Sequence, residues 1–285
     1  MLARLLGADQ FGLLNLALSA AVLIAGVAAL GLDTALVRYV AMLAKKRDEA
    51  GLWGTIQIGV GFATFVGILA GIGLYILAEP IAEKVFDEPR LVPLLQLFSL
   101  VVPFMTLSSV LVGTAHGFKK MEYSVIAQNF VQMLVKVLLI AVLALVGLNA
   151  VLTALAFGLS ELAAAVVLVF LINKRFPWKR PLNSARRDTR EIFSFSLPLW
   201  LSSTMKKLRR NFQIILVGTL STATNVGIYA LASRLNLIGR VSRLSIVASV
   251  SPVIAELYSQ KDWRQIGRLY QTTTRWTIGT MRVQC

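Results

Sequence analysis

Apolar residues run along the chain in seven long blocks, at about 11–31, 52–78, 91–115, 125–147, 150–173, 193–220 and 226–250. A helix needs ~20 mostly apolar residues to cross a bilayer, so each block predicts one transmembrane helix. Polar and charged residues collect in the connections, and they do so unevenly. The segments 32–51, 116–124, 174–192 and 251–275 carry 17 Lys/Arg, whereas 1–10, 79–90, 148–149 and 221–225 carry three. Such alternation follows the positive-inside rule and places the first set in the cytoplasm and the start of the chain outside. The acidic residues Glu79, Glu83, Asp87 and Glu88 fall in a predicted outer loop, in keeping with that sidedness. The stretches 33–47 and 252–270 are basic and amphipathic and predict helices lying along the inner interface. Pro80 and Pro89 bracket the outer loop, while Pro93 and Pro103 sit in the third block, where a proline usually marks a kink that neighbouring helices tolerate.

Composition narrows the class further. The 285 residues are 56% hydrophobic and 15% charged, with mean hydropathy +0.72. A soluble domain carries about 25% charged residues, so this chain lacks the polar surface a soluble fold needs. Disorder is excluded by the same hydrophobicity. The single cysteine, Cys285, excludes an internal disulfide and a cysteine zinc site, and the single histidine, His116, excludes a multi-histidine metal centre. No metal or cofactor is expected. The net charge of +15 would suit nucleic acid only on the basic face of a soluble domain. Here it is explained by topology, and no nucleic-acid partner is expected. The first ten residues lack the charged, apolar and small-residue order of a signal peptide. The fold class is therefore an all-α integral membrane protein with about seven transmembrane helices.

The sequence also repeats itself. Leu5-Leu6-Gly7 followed by Phe11-Gly12-Leu13-Leu14-Asn15-Leu16-Ala17 is similar to Leu216-Val217-Gly218 followed by Val226-Gly227-Ile228-Tyr229-Ala230-Leu231-Ala232. Each copy leads into a basic interfacial stretch ending at Lys46-Arg47-Asp48 or Lys261-Asp262. The second copy has a full span before its motif and the first does not. The expected organisation is thus a first lobe at 1–173 whose first helix is missing, a basic cytoplasmic linker at 174–192, and the start of a second lobe at 193–285. The parent would be a two-lobe, six-plus-six bundle truncated here at both ends, and parallel repeats of this kind recur in secondary transporters with substrate between the lobes.

Charges within the blocks supply the candidate site. Lys206, Lys207, Arg209 and Arg210 lie in the middle of the sixth block and span about 160° of helix circumference. Each would cost ~2.5–3.5 kcal/mol facing lipid at the helix centre. They therefore either line a water-filled, anion-attracting cavity or sit near a helix end and snorkel to the interface. The cavity reading predicts a multiply negative, membrane-associated ligand such as a phosphate or pyrophosphate head group. Arg234 adds a charge near the midplane of the next block, and Arg38 reads as an interfacial anchor or a guard of the inner mouth. Lys136 and Glu161 are equally far from the turn near 148–149, which predicts similar depth on adjacent antiparallel helices. They form either a static ion pair or, through Glu161, an ion-coupling site. His116 opens a cytoplasmic turn and carries no assigned role.

Five stretches carry a family resemblance. These are Leu5-Leu6-Gly7-Ala8-Asp9-Gln10-Phe11-Gly12, Leu30-Gly31-Leu32-Asp33-Thr34-Ala35-Leu36-Val37-Arg38, Phe195-Ser196-Leu197-Pro198-Leu199, Val226-Gly227-Ile228-Tyr229 and Pro252-Val253-Ile254-Ala255-Glu256-Leu257-Tyr258. They resemble the polysaccharide flippases related to multidrug exporters and lipid II flippases, over the chain up to about residue 270. The resemblance implies two six-helix bundles around a V-shaped cavity and transfer of lipid-linked sugars across the plasma membrane. It implies that Arg38 and Arg234, and the 206–210 cluster, match the cationic positions of that cavity. The expected partners are a lipid-linked anionic glycan and membrane lipid. Two other classes compete. A multidrug antiporter would want acids rather than cations in its cavity, and a membrane glycosyltransferase or polymerase would want acid–base groups on a substantial outer loop. No ATP-binding Gly-x-x-x-x-Gly-Lys-Ser/Thr loop is present. A non-enzymatic transporter is the expectation.

Overall fold

A computed structural model describes residues 2–175, 200, 201, 204, 205, 208, 211–234 and 263–282. Every regular element among them is helical. The first five apolar blocks each fold as a helix long and apolar enough to span a membrane. Met1–Gly227 forms one compact unit and Ile228–Cys285 a second. The linker that divides the lobes in the sequence reading, 174–192, lies almost wholly outside the described residues.

Helix α1 runs over Leu2–Ala28 with a break at Gly7 (φ 74°, ψ 164°), so it starts well before the apolar block does. Leu30 and Gly31 both take left-handed angles and turn the chain into α2, Leu32–Lys46. The buried residues of α2, Leu32, Ala35, Leu36, Tyr39, Val40 and Leu43, occupy about 140° of arc at 100° per residue. They pack with Leu52, Ile56, Ala63 and Val110 in one apolar cluster. Asp48 caps α3, its Oδ1 accepting from the Gly51 amide at 2.9 Å. Helix α3 covers Glu49–Lys84, 36 residues, or about 54 Å. That exceeds the ~30 Å hydrocarbon core, and the outer loop expected at 79–90 is therefore helical as far as Lys84. Pro80 lies inside the helix, and only Val85–Glu88 and a 3-10 turn at Pro89–Leu91 link it to α4, Val92–Gly117.

Helix α4 is the hub, packing against α1, α2, α3 and, further on, α7. Its fit to α3 depends on small residues. Gly59, Ala63, Gly67 and Gly71 recur every fourth position on the buried face of α3, the small-xxx-small pattern that lets membrane helices approach closely. Gly67 and Gly71 face Ser99, Pro103 and Thr106 of α4, while Gly59 faces Leu36 of α2. Pro103 has no N–H to offer Ser99, and a Cβ on Gly71 would stand 2.6 Å from the Ser99 carbonyl oxygen. The proline frees that carbonyl and the glycine makes room for it.

The fourth block is composite. A short α5, Met121–Ser124, passes into a π-helical stretch, Val125–Val131, and then into α6, Gln132–Val146. Helix α7, Ala150–Arg175, returns antiparallel and contacts α6, the π stretch, α4 and α1. Farther along, α8 spans Asn211–Leu220, a helix covers 223–234 (α9), and α10 covers Trp263–Arg282. The seventh predicted span is thus described only to residue 234.

Contacts at the helix ends agree with the alternation of sides. Arg90 binds Asp9 with both terminal nitrogens (2.8 and 3.2 Å) and Glu88 through Nε and one terminal nitrogen (2.7 and 2.9 Å). Gln10 Oε1 accepts from the Ala150 amide at 3.0 Å. The starts of α1, α4 and α7 therefore meet at one end, the predicted outer one. At the other end, Gly113 and Gly117 of α4 abut the backbone of Asp33 and the side chain of Val40 on α2.

The internal repeat also has a structural counterpart. A Cβ on Gly12 would collide with the Ala223 carbonyl, and one on Gly227 would collide with the Ala8 carbonyl. Ala8 and Gly12 correspond to Ala223 and Gly227 in the two copies of the motif. The equivalent helices α1 and α9 thus touch reciprocally at equivalent residues, as a local two-fold relation requires.

Candidate functional site

The charged positions that the sequence singles out are distributed as follows. Lys206, Lys207, Arg209 and Arg210 lie outside the described residues, between the described positions 205, 208 and 211. Arg38 lies on α2 about 130° from the middle of that helix's buried arc, on its exposed side. Arg234 is exposed and closes the described part of α9. His116 Nε2 and the Ser124 hydroxyl are 3.0 Å apart across the turn after α4, a local contact that supports no catalytic role.

Lys136 and Glu161 do share a cluster, and its geometry is specific. Glu161 is 9% exposed, and among the described residues it is the buried side chain that bears a formal charge. Its Oε2 accepts a hydrogen bond from Gln132 Nε2 at 2.6 Å, from α6 to α7. Lys136, one turn further along α6, places its ammonium 4.4 Å from the centre of the Phe157 ring. Phe157 is in turn one turn before Glu161 on α7. Two rungs thus join the helices, Gln132 to Glu161 and Lys136 to Phe157, and both obey one antiparallel register. The lysine remains near enough for its charge to act on the carboxylate. Ser108, 1% exposed on α4, faces the same carboxylate with its hydroxyl in no formed hydrogen bond.

The local sequence accounts for this arrangement. Gln132 and Lys136 are four residues apart and so project from one face of α6, as Phe157 and Glu161 do from α7. The cluster lies about 16 Å from the α6–α7 turn, half the thickness of a hydrocarbon core. At that depth an isolated carboxylate or ammonium is costly, and a polar donor together with an aromatic face lowers that cost for each charge. Gln132 is the member that sequence reasoning missed. It is a neutral residue in an apolar run, and the available signal was its four-residue spacing from Lys136. Gln132 also follows directly on the π-helical stretch, an irregularity often found at functional positions.

An apolar groove of about 460 Å³ opens between α1 and α3, lined among others by Leu23, Ile24, Val27, Val66 and Leu69. Beside it, the Trp200 indole N–H donates to the Val27 carbonyl at 3.0 Å. Among the described residues no group of three or more His, Cys, Asp or Glu is placed to hold a metal ion.

A family profile described as "Polysaccharide biosynthesis protein" matches residues 1–258. The fold is similar to a solved structure titled as the inward-facing conformation of a multidrug resistance MATE family transporter of the MOP superfamily. The TM-score is 0.75 with 16% identity, and the match covers 96% of this chain and 64% of that one. The chain therefore spans about two thirds of the length of the transporter it matches. No curated protein sequence matches it.

Proposed function

The chain belongs to the polysaccharide biosynthesis protein family, and on that premise we propose that it flips a polyprenyl-pyrophosphate-linked oligosaccharide across the plasma membrane by alternating access. The observation that carries this reading is the pairing of that family with an all-helical, multi-pass transporter fold. Lys206, Lys207, Arg209 and Arg210, together with Arg234 and Arg38, hold the anionic head group. A pyrophosphate needs several cationic donors, and Arg supplies them in a planar fork. The polyprenyl tail stays in lipid, so only the head group crosses. Glu161 and Lys136 form the charged element inside the first lobe, joined to its neighbours by Gln132 and Phe157. The movement draws on an ion gradient or on the membrane potential.

Drug export is the second reading, favoured by the likeness to a multidrug transporter. It predicts acidic cavity residues for an organic cation. Among the described residues Glu161 is the buried acid, and Gln132 occupies it.

The test is glycan export in cells that lack their own flippase. Arg209→Ala with Arg210→Ala should abolish export while membrane insertion stays intact or improves, because ~2.5–3.5 kcal/mol is recovered per charge removed. Lys at both positions should retain part of the activity. Normal export in the double Ala variant would remove these arginines from the site.

A further inference from the structure

Helix α10 carries a basic stripe. At 100° per residue, Arg264, Arg268 and Arg275 fall within about 40° of one another. All three are exposed, and no Asp or Glu occurs from Trp263 onward. Trp263, Leu269 and Tyr270 fall on the opposite side, centred about 180° from the arginines. Trp263 and Tyr270 are 61% and 71% exposed, although both are large and amphipathic. Thr272 and Thr273 return their hydroxyls to the carbonyls of Arg268 and Leu269.

We infer that α10 is an in-plane anchor that binds the anionic phospholipid surface of the inner leaflet through Arg264, Arg268 and Arg275. A helix with a narrow basic stripe and an aromatic face is built to lie in the interface, its rings at headgroup level and its cations against lipid phosphates. Charge complementarity names the occupant: the helix carries four arginines, three of them described as exposed, and no anion, in a chain with several helices apolar enough to span a membrane. The segment 251–275 is also among the basic connections that the charge bias assigns to the cytoplasm, where anionic lipids are concentrated. The inference does not depend on what the chain transports. Near an anionic surface each basic residue strengthens attachment by about fivefold, so three together give on the order of 100-fold.

The test uses the full chain with Cys285→Ser and Thr273→Cys, an environment-sensitive dye at position 273, and nanodiscs of phosphatidylcholine with or without phosphatidylglycerol. Quenching by spin-labelled lipid reports whether this face is seated. Seating is expected with phosphatidylglycerol and is expected to weaken in neutral discs, in high salt and in the Arg264→Gln, Arg268→Gln, Arg275→Gln variant. The corresponding triple Lys variant should keep it, which separates charge from folding. Equal quenching in both lipids, or a triple Gln variant that seats as well as the parent, would overturn the inference. So would seating driven by free pyrophosphate in neutral discs, because the helix would then be reading the head group of a substrate.

Discussion

Replacing Gln132 by Met removes the N–H that Glu161 receives at 2.6 Å and leaves the side-chain length nearly unchanged. A hydrogen bond to a charged group contributes about 1.5–3 kcal/mol in soluble proteins. Cross-helix bonds in membranes average about 0.6 and reach about 1.7 kcal/mol, because the separated helices find other partners. Glu161 is only 9% exposed, so water cannot fully replace the lost donor. The expected loss is therefore about 1–2 kcal/mol, a factor of about 5–30 in the folding equilibrium. Reversible unfolding of the chain in lipid bicelles measures it. The decisive step is a double-mutant cycle. In a Glu161→Leu background the acceptor is gone, and Gln132→Met should then cost almost nothing. An equal loss in both backgrounds would show that Gln132 acts through packing, and the α6–α7 rung would fail as an explanation of how the buried acid is held.

Gly71→Val should destabilise by at least about 2 kcal/mol, since its Cβ meets the immovable Ser99 carbonyl, whereas Gly73→Val, with no atom within 4 Å, should be near neutral; thermal unfolding of the two side by side checks this. Gly12→Val should be comparably damaging, because the α1–α9 contact is backbone against backbone, and a wild-type melting temperature would contradict that packing. Arg90→Ala should cost no more than about 1 kcal/mol despite its four short contacts, because the side chain is 59% exposed, and the loss should shrink with salt in a denaturation series. In a Cys285→Ser background, an impermeant maleimide should label a cysteine at Asp87 only from outside and one at Lys119 only from inside, and the reverse pattern would invert the topology.

Five of the spans were legible because bilayer thickness imposes a length and an apolar composition that few other constraints produce. Their ends were not. Helix α3 runs on through Glu79 and Glu83 to Lys84, since a helix that leaves hydrocarbon can carry charge without losing its backbone bonds. The break in α1 is a backbone event at Gly7, and the π-helical stretch at Val125–Val131 leaves no mark in hydropathy. The repeat could be read from a few matching residues, and the reciprocal contact of Gly12 with Gly227 gives it physical content. The buried acid was legible as well. Its immediate partner was not, because distance from the turn places Lys136 opposite Glu161, whereas the hairpin register sets Gln132 there and turns the lysine to Phe157. Helix pairing is fixed by side-chain interlock across the whole interface, and counting from the loop misses it by one turn.

The most direct measurement is flipping itself. The chain is reconstituted into vesicles carrying a fluorescent polyprenyl-pyrophosphate oligosaccharide in both leaflets, and a membrane-impermeant reductant bleaches the outer pool. Transport predicts that the inner pool also becomes accessible over time, and that it does so more slowly with Arg209→Ala and Arg210→Ala. An inner pool that stays protected in vesicles that export an organic cation would contradict the glycan reading and leave a drug transporter on the same fold.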